Sequence, residues 1–387
     1  PQNGYRGNYI ELIGKDFLQK IKVKYNDHDS IIKDLSNDPE EEIDQIIINL
    51  KEIDIEVWNS VKSFSLKSII ESIKADLEEF NVDFNNWFEE SSLGDLSDPL
   101  SEIGKSINKL KESEEAYEKD GAIWLNTNSS GDDKHRVLIR DDGRATYFAS
   151  DVAYHKNKVD RGFDSLINIW GADHHGYIKR IEASIEALGS SKEILTVKLV
   201  QFANLFKSGE RVKMSTRSGD FFTLKDLIGE IGTDAARFYY LSKQADQHLD
   251  FDLDLAKSDS KENIFYYIQY AHARIFSLEK KFNEVHPNLE VNINTIENNI
   301  YKKCDSLIHE ITKYPNIINK SSHTLQPHLI IFYLRDLSQL FHSYYNDNHV
   351  LSESEENMQS IIFCLSAVRQ TIANGLKVLG ITPMQKM

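Results

Sequence analysis

Cysteine is nearly missing from this chain: Cys304 and Cys364 are the only two in 387 residues. They stand far apart in the sequence with no C-x-x-C partner, so they provide no zinc framework and fit a reducing compartment. Long apolar runs are also lacking. None could span a bilayer, and no basic-then-apolar leader opens the chain, so a soluble cytoplasmic protein without membrane contact is expected. Positive charge is in deficit, with 45 Lys and Arg against 61 Asp and Glu, a net charge of −16 and a pI near 5.3. That balance excludes a generally basic nucleic-acid binder, although a local basic groove can still grip phosphates. No internal repeat, low-complexity tract or disordered linker interrupts the chain. What is there is ordinary for a folded protein: 40% hydrophobic and 10% aromatic residues, enough for two or three domains.

Residues 27–120 read as helical and acidic. Asp38 is suited to cap a helix with Pro39 at its first position and Glu40, Glu41 and Glu42 against its dipole. Ile43, Ile46, Ile47 and Leu50 form one apolar face, and Leu66, Ile69, Ile70, Ile73, Leu77 and Phe80 a second. Near residue 121 the character changes. Ala122–Leu125 and Arg136–Arg140 read as strands, Asp141-Asp-Gly143 as a turn and Ala145–Phe148 as the returning strand, with a helix from Ser150. Leu166–Trp170 suits a buried parallel strand. A helix follows through Tyr177, Ile178, Ile181, Ile185 and Leu188 to Gly189, and Val197–Phe202 is the next strand candidate. From Thr233, expected as a cap, nearly everything is helical, with long amphipathic segments at 261–283, 297–313, 325–346 and 355–379. The pattern predicts an α/β chain: a partial doubly wound, Rossmann-like nucleotide-binding domain followed by an all-α helix bundle.

Three segments carry chemistry. Arg211-Val-Lys-Met-Ser-Thr-Arg217 is a basic loop before a helix that begins near Phe221, and positive charge on such a loop suits a departing polyphosphate. Gly171-Ala-Asp-His-His-Gly176 lies where a strand opens into a helix, a place that favours nucleotides; alternatively, Asp173 is a simple cap. Metal binding by His174 and His175 is disfavoured, because neighbours on a helix point about 100° apart. Tyr147 and Asp151 lie four apart, and a carboxylate beside a phenol suits a guanidinium. Without the other motifs, a half-buried sheet Tyr147 and a capping Asp151 would be the better reading. His155, one turn on, is expected to be a satisfied polar residue of the same region.

Together these segments resemble the second half of the catalytic domain of class I aminoacyl-tRNA synthetases, most closely the arginyl-tRNA synthetases. Tyr117–Leu125, Asp234–Phe238, Leu249–Leu255, Tyr266–Arg274, Phe341–Asn346 and Ala367–Gln370 are similar to further stretches of that family. The resemblance implies ligation of arginine to its tRNA through an arginyl-adenylate. It makes arginine, ATP with Mg2+ as substrate, and arginine-accepting tRNA the partners, with no protein-bound structural metal and a monomeric state. Lys213 would stabilise the departing pyrophosphate with Arg217 assisting, and Met214 and Ser215 would border ATP with Gly171, Asp173 and His175. Tyr147 and Asp151 would hold the guanidinium. Tyr344, Tyr345 and Asn346 would touch the anticodon arm, although tyrosines of a helix bundle are otherwise more often core than stacking platforms. The implied division is a helical insertion at 1–120, the catalytic half at 121–256 and an anticodon-binding bundle at 257–387.

Two departures stand out. Thr216 occupies the place of a second lysine in the commoner K-M-S-K-S loop, and the family's His-x-Gly-His signature is absent from the sequence. The first residue is Pro1, so the chain reads as a portion of such an enzyme, and on its own little or no activation is expected. Two alternatives stay open at this point: a non-catalytic tRNA-binding paralogue, and another class I synthetase, although two isolated cysteines cannot build the zinc site of the cysteinyl enzymes.

Overall fold

Helices form most of the chain, and capping chemistry sets many of their ends. A computed structural model describes residues 4, 7–20, 28–127, 134–212, 222–287 and 293–387. Its contacts group into two units. One comprises Pro1–Asp83, Asn204–Ser242 and Asp250–Met387, and the other Phe84–Ala203 with Lys243–Leu249.

The first unit opens with α1 (Asn8–Lys20), α2 (His28–Ile31), α3 (Pro39–Ile53) and α4 (Ile55–Glu79). Asp38 Oδ1 accepts the Glu41 amide at 3.2 Å, so the helix start at Pro39 is as the sequence indicates. The second apolar face is only partly used. Leu66 and Ile73 of α4 are exposed, because the helix leans on its neighbours along a narrower stripe than the periodicity implies.

The second unit holds α5 (Glu102–Glu112), the antiparallel strands β1 (Ala116–Lys119), β2 (Ala122–Leu125) and β3 (Arg136–Ile139), then α6 (Tyr147–Asp160), β4 (Leu166–Gly171), α7 (Ile178–Ala187) and β5 (Leu195–Val200). The segment Ala145–Phe148 is not a strand. Only Ala145 bridges Ile139, and the helix begins at Tyr147, three residues before Ser150. Thr146 decides this: its hydroxyl accepts the Ala149 amide as an N-cap and donates to the carbonyls of Val137 and Leu138. β4 and β5 pair in parallel through α7, the βαβ unit of a partial Rossmann-like sheet. Leu125, Leu138, Leu110, Val152 and Ile181 are fully buried between the antiparallel sheet and helices α5, α6 and α7, each contributing about 1.5–3 kcal/mol by the usual burial scale.

Back in the first unit come β6 (Ala203–Lys207), β7 (Glu210–Arg211), α8 (Leu224–Ile231), α9 (Thr233–Leu241), β8 (Leu249–Asp252) and α10 (Leu253–Lys257). Thr233 is the first helical residue of α9 rather than its cap; Gly232, at φ 79°, takes the cap position. The bundle follows: α11 (Ile264–Val285), α12 (Ile293–Ile311), α13 (Tyr314–Thr324), α14 (His328–Asp347) and α15 (Glu355–Val378). Ile361, Leu365, Val368, Ile372 and Leu376 of α15 are fully buried at helical spacing, facing Leu334, Leu337 and Phe341 of α14. Nothing in the sequence pattern predicts helix α13, because its Asn, Ser, Lys and His leave little apolar periodicity. The cysteines, distant in sequence, are neighbours here. Both are buried free thiols, and interaction with Cys304 together with burial pushes the Cys364 thiol up.

Candidate active site

Helix α6 brings three polar side chains onto one stripe. Asp151, His155 and Lys158 are spaced four and three apart, and Asn168 of β4 faces them. Alternation along β4 explains that placement: Leu166 and Asn168 are buried, while Ile167 and Ile169 are exposed.

The hydrogen bonds form a chain with assignable directions. The Asp151 carbonyl can only accept, so His155 Nδ1 carries a proton and donates to it at 2.7 Å. That leaves Nε2 as the acceptor for the Asn168 side-chain amide, also at 2.7 Å. Asn168 Oδ1 then accepts from Lys158 Nζ at 3.0 Å. Burial pushes the His155 pKa down, which keeps this neutral tautomer. Burial also lowers the Lys158 ammonium, which sits 4.5 Å from the Tyr154 ring. At the other end, the Tyr177 hydroxyl donates to Asp151 Oδ2 at 2.6 Å, and burial and that carboxylate push the phenol well above its ordinary value.

These groups line a cavity of about 400 Å3, with Tyr154, Trp170, Gly171 and His174 completing much of its wall. Asp151 supplies its carboxylate. Among the described residues no donor reaches the second oxygen of Asp151, which leaves an anionic edge for a cationic ligand. Gly171 ends β4 beside the Asp173 carboxylate: an added Cβ would lie 2.5 Å from Asp173 Oδ1, and that exposed side chain would have to move. The turn Ala172–Tyr177 is a 3-10 helix, in which Asp173, His174 and His175 are exposed and Asp173 lies 3.7 Å from His174 Nε2.

The structure therefore gathers Asp151 and Gly171 at one cavity and sets Asp173 and His175 on the exposed turn beside it. Tyr147 is 84% exposed at the first position of α6 and does not line the cavity. Lys213, Met214, Ser215 and Arg217 lie outside the described residues. In the bundle, Tyr345 and Asn346 line a separate cavity of about 350 Å3, with the Arg274 guanidinium 3.9 Å from the Tyr345 ring. Tyr344 packs against the bundle core, its hydroxyl 3.7 Å from Cys304 Sγ. Sequence reasoning missed Tyr177, Lys158 and Asn168. Tyr177 was absorbed into the apolar periodicity of α7, and a lone Lys or Asn carries no spacing signal.

Residues 11–281 match the family model described as tRNA synthetases class I (R), catalytic domain, and residues 268–387 match the DALR anticodon binding domain. The chain belongs to the arginyl-tRNA synthetases. Among its relatives in that family, an arginine–tRNA ligase of Legionella pneumophila (strain Corby) is 41% identical over 397 aligned positions, covering 100% of this chain and 67% of the relative. A solved structure from Campylobacter jejuni that carries the arginyl-tRNA synthetase designation aligns with TM-score 0.75 and 30% identity over 99% of this chain and 84% of its own. The Thermus thermophilus arginyl-tRNA synthetase shares the fold at TM-score 0.70 and 17% identity, over 90% of this chain and 68% of its own.

Proposed function

We propose that the cavity on Asp151 is the arginine site of an arginine–tRNA ligase. Arginine and ATP react there to arginyl-adenylate and pyrophosphate, and the arginyl group then passes to the terminal ribose of an arginine-accepting tRNA. The observation that carries this reading is the Asp151 carboxylate, held on one oxygen and open on the other inside a cavity of side-chain size. Each carboxylate oxygen can accept more than one hydrogen bond, so the two parallel N–H groups of a guanidinium can meet both oxygens while Tyr177 holds one. Tyr147, one turn earlier on α6, would meet the same group from the solvent side.

In the first step the arginine carboxylate attacks the α-phosphate of ATP, which enters with Mg2+. Gly171, Asp173 and His175 border the nucleotide, joined by Met214 and Ser215. Lys213, with Arg217, stabilises charge on the leaving pyrophosphate. In the bundle, Tyr345 and Asn346 meet the anticodon arm, with Tyr344 supporting them from the core. The same reading divides the chain into an insertion at 1–120, a catalytic half at 121–256 and an anticodon-binding bundle at 257–387, in a cytoplasmic monomer.

The test is Asp151→Asn, which keeps the shape of the side chain and removes its charge. Arginine affinity measured by calorimetry is expected to fall by roughly 1.5–3 kcal/mol, the value of hydrogen bonds to a charged group, or about ten- to a hundredfold in Kd. ATP affinity should hold. Equal losses for both ligands would make Asp151 a structural residue and remove the reading.

A further inference from the structure

We infer that Tyr177 is a positioning residue of this reaction: its hydroxyl sets the plane of the Asp151 carboxylate so that the open edge fits a guanidinium better than an ammonium. This rests on the reading of the cavity as the arginine site.

An aspartate carboxylate turns easily about its last torsion, which has broad minima. Here the turn is arrested, because the Tyr177 hydroxyl holds Oδ2 at 2.6 Å. Tyr177 is itself fixed by its neighbours. Its ring lies edge-on to Trp170 and Phe148, with centroids 5.9 and 6.0 Å away, and the Arg180 guanidinium lies 5.3 Å from it. The phenol stays protonated, so it remains a donor across the physiological range. The main chain of Asp151 is held independently, by the hydrogen bonds running from its carbonyl through His155 and Asn168 to Lys158. One residue is thus clamped at its backbone and at one carboxylate oxygen, and the remaining oxygen has a defined direction.

That clamp matters unequally to two cations. A guanidinium gains from two parallel hydrogen bonds only when its plane matches the carboxylate's, whereas an ammonium is a point charge indifferent to that plane. Losing the Tyr177 hydroxyl should therefore penalise arginine more than lysine. Among the described residues Tyr147, largely in solvent, makes no hydrogen bond to Asp151 that could substitute.

The experiment is equilibrium dialysis of labelled arginine against this chain, with unlabelled lysine as competitor and ATP affinity measured alongside. Wild type, Tyr177→Phe and Asp151→Asn are compared, the phenylalanine keeping the ring contacts. Tyr177→Phe is expected to raise the arginine Kd about tenfold, the scale of one charge-assisted hydrogen bond. It should narrow the preference for arginine over lysine and leave ATP unchanged. An unaltered arginine-over-lysine preference, or equal losses for arginine and ATP, overturns the positioning role. If Asp151→Asn weakens arginine while Tyr177→Phe does not, only Tyr177's role falls. If Asp151→Asn also has no effect, or wild type retains no arginine, the arginine-site reading falls with it.

Discussion

His155 links the site to pH. Its folded pKa lies below the ordinary 6.5 because burial penalises the imidazolium. The unfolded chain therefore takes up a proton that the folded chain refuses, starting as the pH falls through about 6.5. This contribution is full above that value and is lost as pH descends through the lower folded pKa. His272 and His342 in the other unit are depressed in the same direction, so the whole chain should lose stability in mild acid. The His155 share is separable by urea unfolding at pH 7 and pH 5: His155→Gln, which does not titrate, should show a smaller loss between the two than wild type. Identical losses would mean the imidazole is not held neutral. At this scale the sequence was half legible. The i, i+4 spacing of Tyr147 and Asp151 singled out the carboxylate, and the structure seats it in the cavity. The phenol that reaches it is Tyr177, which lies beyond a strand and a turn, and no local spacing reports a partner made by tertiary packing.

At the scale of elements, α6 depends on Thr146. The alternation in Ala145-Thr-Tyr-Phe148 mimics a strand, yet the hydroxyl of Thr146 both caps the helix and ties it to β3. A local cap outweighed a two-residue period, and the cap moved the helix start so that Asp151 falls in its second turn. Thr146→Ala should destabilise the chain by about 1–2 kcal/mol in urea unfolding, the range for lost N-caps. It should also weaken arginine binding, because the helix that carries Asp151, His155 and Lys158 would fray from that end. A stability change within about 0.5 kcal/mol would show that packing alone holds the helix. A second device ties β6 to α8 and α10. Glu230 of α8 bridges Lys207 of β6 and Lys257 of α10, and those two lysines hold its carboxyl down to about 2. Such an ion network joins residues from three elements, and the sequence gives no sign of it.

For the molecule as a whole, alternation of strand and helix followed by unbroken helical periodicity was enough to read an α/β portion and a bundle. What periodicity could not supply is how distant segments of one unit are tied together. Arg237 of α9 donates to the carbonyls of Phe80, Asn81 and Leu379, joining the end of α4 to the end of α15. Asp234 accepts the Thr382 amide beside it. The same unit carries the bundle, in which Arg274 lies against Tyr345 at the edge of a cavity that also exposes Asn346. A net charge of −16 limits nonspecific attraction to nucleic acid, so on the proposed reading binding there would come from such local sites. The most direct measurement is retention from total tRNA on this chain at physiological salt, with the bound fraction sequenced. Strong enrichment of arginine-accepting tRNAs over all others is the expected result; enrichment of a different isoacceptor group, or of none, would contradict the account.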